Sequence, residues 1–105
     1  MYARVARWEG ADPQALREMV AEMRKEAAAG GGPPGDVPAV GGTVLVDADH
    51  GTSMAIMLFE TEADRRQADE ILNDMNPPRE TGGRRVSVEM FEVGLDIRLS
   101  DRATA

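Results

Sequence analysis

Two strand–helix–strand segments run back to back in this chain, and the junction between them is a tight turn at Asp49-His50-Gly51-Thr52. A β-α-β-β-α-β string with a hairpin at its centre leaves few ways to fold. Its helices cover one face of a single antiparallel sheet, and the other face has no layer of its own. The chain therefore reads as one domain over 1–93, with an extended tail over 94–105 that reaches towards a second subunit.

The elements follow from local chemistry. Tyr2 to Glu9 mixes aromatic and β-branched residues with arginines and ends at Gly10, the pattern of a strand. Asp12-Pro13 opens a helix, with the aspartate as cap and the proline where no amide bond is lost. Leu16, Met19, Val20, Met23 and Ala27 form its apolar stripe, and Gly30-Gly31-Gly32 with Pro33-Pro34 stop it. Thr43 to Asp49 and Ser53 to Glu60 are expected to pair around a two-residue loop, placing Leu45 opposite Ile56. Thr61 caps a second helix whose stripe is Ala68, Ile71, Leu72 and Met75, ended by Asn76-Pro77-Pro78. Gly82-Gly83 turns into a last strand from Arg85 to about Val93. Beyond it Leu95, Ile97 and Leu99 alternate as an arm would. The class is α+β, a ferredoxin-like βαββαβ sandwich on a four-stranded antiparallel sheet.

Composition narrows the partners. With 12 basic and 19 acidic residues the net charge is −7, which disfavours nucleic acid and anionic membranes. Cysteine is absent, removing disulfides, thiolate nucleophiles and cysteine metal sites, as suits a cytoplasmic protein. No basic segment followed by an apolar core opens the chain, so no signal peptide is expected, and Met54 to Phe59 is too short to span a bilayer. Gly30, Gly32 and Gly35 fit G-x-G-x-x-G in letters only. A helix precedes them and prolines fill the gap, so the phosphate-binding reading is rejected.

In the order and length of its elements over Tyr2 to Val93, the chain resembles the dimeric α/β-barrel superfamily, specifically its antibiotic-biosynthesis-monooxygenase-like members. The hairpin Gly42-Thr43-Val44-Leu45-Val46-Asp47 leading to Ala55-Ile56-Met57-Leu58-Phe59 carries the resemblance, as does the junction Phe59-Glu60-Thr61-Glu62-Ala63. These are fold motifs and specify no chemistry. The resemblance implies a homodimer with open sheet faces together, and a pocket in each subunit between sheet and helices. Relatives include cofactor-independent oxygenases of aromatic substrates, haem-degrading proteins and small isomerases. The haem-degrading relatives use a histidine on the second helix, and Thr61 to Asn76 contains none, which disfavours haem.

Arg4 and Arg7 are the candidate catalytic or anchoring residues. Three-residue spacing sends them to opposite faces of an internal strand, where a buried guanidinium needs an acid, a ligand anion or solvent. Glu89 and Glu92 on the last strand are candidate partners, which would make the pairs structural; the alternative is that one arginine orients a substrate carboxylate, phenolate or enolate. Trp8, Met54, Met57 and Phe59 are the candidate substrate-binding residues, against the plainer reading of core or interface packing. His50 beside Asp47 and Asp49 lacks a second histidine, so no metal is expected, and no resident cofactor is implied. No serine–histidine–acid set can be assembled; Asp47, Glu89 or Glu92 would have to supply any acid–base chemistry. The expected function is a homodimer binding a small aromatic or apolar molecule, resembling a cofactor-independent monooxygenase. The alternatives are a non-catalytic dimeric binding or stress-associated protein and an isomerase or lyase with a carboxylate base.

Overall fold

The structure, a computed structural model, describes residues 1–31, 37–75 and 83–97. In chain order it comprises β1 (Tyr2–Glu9), α1 (Pro13–Ala28), β2 (Gly41–Asp47), a short 3₁₀ turn (Ala48–His50), β3 (Thr52–Phe59), α2 (Glu62–Met75) and β4 (Arg84–Glu92). The strands form one four-stranded antiparallel sheet in the order β2-β3-β1-β4. This α+β arrangement is compatible with the ferredoxin-like fold. The triglycine's Gly32, Pro33-Pro34, Asn76-Pro77-Pro78, Gly82, Leu99 and the Met75 side chain lie outside the described residues.

Both helices start on the expected caps. The Asp12 Oδ2 accepts the Ala15 N–H at 3.0 Å, and the Thr61 Oγ1 accepts the Asp64 N–H at 3.0 Å. Each satisfies an amide that has no partner in a first helical turn. Leu16 is the one fully buried residue of the α1 stripe, with Met19 and Val20 half-buried and Met23 exposed. The core beneath α2 gathers Val37, Phe59 and Ala68, with Ala39, Met57, Ile71 and Leu72 packed against it.

The hairpin departs from the expected register. Leu45 stands opposite Met54, and Thr43 takes the place opposite Ile56, a slide of two residues. The cause is the turn. Ala48–His50 forms a 3₁₀ turn closed by Gly51 at φ 66°, so strand pairing already ends at Asp47↔Thr52 rather than at Asp49. Gly51 is required there, because a Cβ would run into the Ala11 carbonyl and the left-handed backbone disfavours any other residue. An even slide keeps every side chain on its face, so the division into two faces is unaffected. The turn is fastened to the start of α1: the Ala11 N–H donates to the Gly51 carbonyl at 3.0 Å, and Arg17 reaches Asp49 at 2.6 Å.

Alternation along the registers defines the faces. Tyr2, Arg4, Ala6 and Trp8 of β1 share the α2 side with Phe59, Met57, Ala55 and Ser53 of β3 and with Met90 and Glu92 of β4. The opposite side carries Ala3, Val5 and Arg7, then Leu58, Ile56 and Met54, with Thr43 and Leu45 from β2 and Ser87, Glu89 and Phe91 from β4. A right-handed crossover in each β-α-β unit puts both helices on the first side, and among the described elements none covers the second. Leu45 and Phe91 on the open side are each 49% exposed. A β-bulge lies on β4 opposite Arg7 and Trp8, while all of β2 is exposed.

Candidate functional site

The two arginines of β1 meet different fates. Arg4 is only 5% exposed and points into the helical layer, where its Nε donates to Asp69 Oδ1 of α2 at 2.9 Å. Its Nη2 also donates to Asn73 Oδ1 at the longer distance of 3.4 Å. Neither Glu89 nor Glu92 is its partner: Met90 lies directly opposite Arg4 on β4, and Glu89 falls on the other face. Asp69 and Asn73 are four residues apart, so one helical stripe presents both acceptors to the same guanidinium. Burial of this charge is thus compensated within the subunit, and no buried side-chain polar atom lacks a partner among the described residues. Arg7 stands exposed on the open face, opposite Met54 and Ser87, with no hydrogen bond or ion pair among the described residues.

A second arginine, this one on α2, extends the polar seam. Arg65 lies 5.2 Å above the Tyr2 ring, donates to the Phe91 carbonyl at 2.9 Å and approaches Glu62 at 3.8 Å. It joins α2 to the first and last strands through a cation–π contact and a backbone hydrogen bond. Glu62, Arg65, Arg66, Asp69 and Met90 line an open groove of about 300 Å³ between α2 and β4. A second open groove, of about 380 Å³, lies between Glu9-Gly10 and Gly83-Arg84.

The candidate ligand-binding residues do not share one cavity. Phe59 is fully buried in the core opposite Tyr2, and Met57 lies beside it opposite Arg4. Met54 is on the open face, because three-residue spacing from Met57 reverses the side of a strand. Trp8 is half-buried on the α2 side, opposite Ser53 and Arg85. Phe59 and Met57 thus belong to the interior, whereas Met54 joins Arg7 on the surface the helices leave uncovered.

His50 sits exposed in the 3₁₀ turn, its Nδ1 2.8 Å from Asp47 Oδ2. Among the described residues no three histidine, aspartate or glutamate side chains gather to hold a metal ion, and no helix is long and apolar enough to cross a membrane.

Asp69 and Asn73 are the residues that sequence reasoning missed. The signal was present: Glu62, Arg66, Asp69 and Asn73 recur every three or four positions, a polar stripe bordering the apolar one of Ala68, Ile71 and Leu72. No protein family, curated protein or solved structure matches the chain, so its likeness to the dimeric α/β-barrel superfamily rests on element order, hairpin and helix junction alone.

Proposed function

We propose that this chain works as a homodimer that binds a small, flat, largely apolar molecule in a compartment formed where two open sheet faces meet. The observation that carries the reading is that open face, on which Val5, Leu45, Met54, Ile56, Leu58 and Phe91 stand without a covering layer among the described residues. Four strands about 4.8 Å apart and about seven residues long give roughly 450 Å² in projection. Side-chain relief enlarges that figure towards the roughly 800 Å² per partner of a stable interface. The tail adds to it: Leu95 is 78% and Ile97 66% exposed, and both extend past the end of β4 as an arm for the mate.

Because Arg4 is engaged by Asp69, the polar anchor for a ligand in this compartment falls to Arg7. An aromatic quinol held there would react as a cofactor-independent oxygenase substrate does. Deprotonated to its carbanion, the quinol takes one oxygen atom from dioxygen at a ring carbon and becomes a hydroxyquinone, while the second oxygen leaves as water with two of the substrate's hydrogens. The subunits would exclude solvent and hold the anionic form beside Arg7. Residence in the cytoplasm belongs to the same reading.

A non-catalytic dimeric binding protein is the second reading. It is favoured by the large side chains packed between sheet and helices, where Phe59 and Leu16 are fully buried, and by the openness of the two grooves described above. Light scattering and sedimentation at micromolar concentration test the shared part: a dimer is expected for the wild type and a monomer for Ile56→Glu. A wild-type monomer would remove both readings. A thermal-shift screen of quinols and aromatic polyketides then separates them. A ligand-induced rise that Arg7→Ala abolishes supports the first, and a dimer stabilised by none supports the second.

A further inference from the structure

We propose that in the ligand-free dimer Arg7 of each subunit pairs with Glu89 of the other, two reciprocal ion pairs that fix its register, a ligand anion taking the place of Glu89 at the guanidinium. The inference rests on the homodimer reading above and names what orients it.

Away from its strand ends the open face carries these two charges among apolar residues, with Thr43 and Ser87 as its uncharged polar side chains. Glu89 lies opposite Val5 on the β1–β4 register and Arg7 opposite Ser87, so the two are diagonal neighbours on one side of the sheet. Both are exposed, and neither has a hydrogen bond or ion pair among the described residues. Arg4, on the other side of the same strand, shows what this sheet does with a covered guanidinium: it gives it a carboxylate. Once a second copy covers the open face, Arg7 and Glu89 both leave water and each requires an opposite charge.

A two-fold interface presents the same patch twice, so it must be complementary to itself. One cation beside one anion satisfies that condition, because rotation about the axis sets Arg7 against the partner's Glu89 twice over. An apolar face alone permits the sheets to slide or rotate against each other. The two pairs select one setting by penalising those that place like charges together.

Subunit mixing tests this directly. Arg7→Glu leaves two acids on the face and Glu89→Arg leaves two bases, so each homodimer opposes like charges. Each variant alone is expected to dimerise at least about tenfold more weakly than wild type. Mixed in equal amounts they should form a heterodimer of near wild-type affinity, seen by native mass spectrometry, because both pairs are then restored, one as in the wild type and one with reversed polarity. A pair formed within one subunit could not be rescued by mixing. A mixture no tighter than its components, or a single variant that dimerises like wild type, overturns the pairing while leaving the homodimer standing. A monomeric wild type overturns both. Circular dichroism checks folding. If a charge reversal fails to fold, Arg7→Gln and Glu89→Gln replace the pair: each should weaken the dimer about tenfold, and both together no more than either alone.

Discussion

Removing either half of the Arg4–Asp69 pair breaks the same 2.9 Å contact, yet the two losses should differ severalfold. The difference follows from where each partner sits. Arg4 is 5% exposed and Asp69 28%, so water already reaches the carboxylate but barely reaches the guanidinium. Asp69→Ala leaves a permanently charged group in the helical layer with only the long bond to Asn73. Stranding a buried charge in this way costs about 3–5 kcal/mol. Arg4→Met fills the same volume with an apolar chain and leaves Asp69 to be hydrated from its open side, a loss of about 0–2 kcal/mol. For a domain that unfolds with about 5–15 kcal/mol in total, the first change is severe and the second mild. Urea unfolding followed by circular dichroism reads both. With a slope of about 1.5 kcal/mol per molar, Asp69→Ala should move the midpoint down by roughly 2 M or more, and Arg4→Met by about 1.3 M at most. Protein concentration must be matched, since self-association adds stability by mass action. Equal losses, or a greater loss for Arg4→Met, would refute the argument from unequal burial.

Other substitutions probe the scaffold. Leu16→Ala empties a fully buried position under α1 and should cost about 2–5 kcal/mol in the same unfolding assay. Gly51→Ala forces a Cβ towards the Ala11 carbonyl at a positive φ, and a loss of at least about 2 kcal/mol is expected, with weaker amide-exchange protection at Ala11. Thr61→Ala should lower stability by about 1 kcal/mol through the lost cap of α2. Glu62→Ala should change it by under about 0.5 kcal/mol, since its partner Arg66 is largely solvated; a comparable loss from both would contradict the capping assignment.

Much of this architecture is visible in the letters, for reasons that differ by element. Helix starts were legible because Asp12-Pro13 and Thr61 satisfy amides by local chemistry that needs no tertiary partner. Face assignment was legible because strand alternation survives any even slide. The register itself was not: Asp47 to Thr52 reads equally well as a two-residue loop or as a 3₁₀ turn with a left-handed glycine, and the clash that selects glycine comes from Ala11, forty residues upstream. Arg4's need for an acid could be deduced from its place on an internal strand. Which acid could not, because the distance between β1 and α2 is set by packing of Phe59, Ala68 and their neighbours. The candidate pocket of Met54, Met57 and Phe59 grouped residues by chemical kind. Parity separates them, and that was available from spacing alone.

The two margins of the sheet are treated unequally. β4 carries Arg84, Arg85, Glu89 and Glu92 and a bulge, devices that discourage a foreign strand from adding to it. β2 has neither: Gly-Gly-Thr-Val-Leu-Val is uncharged until Asp47 and exposed along its length. Heating or partial denaturation should therefore precipitate this protein through the β2 margin, by the in-register stacking that uncharged β-prone stretches support. A lysine in place of Val46 would slow that loss, measured as turbidity on heating, whereas the same change at Val88 would not.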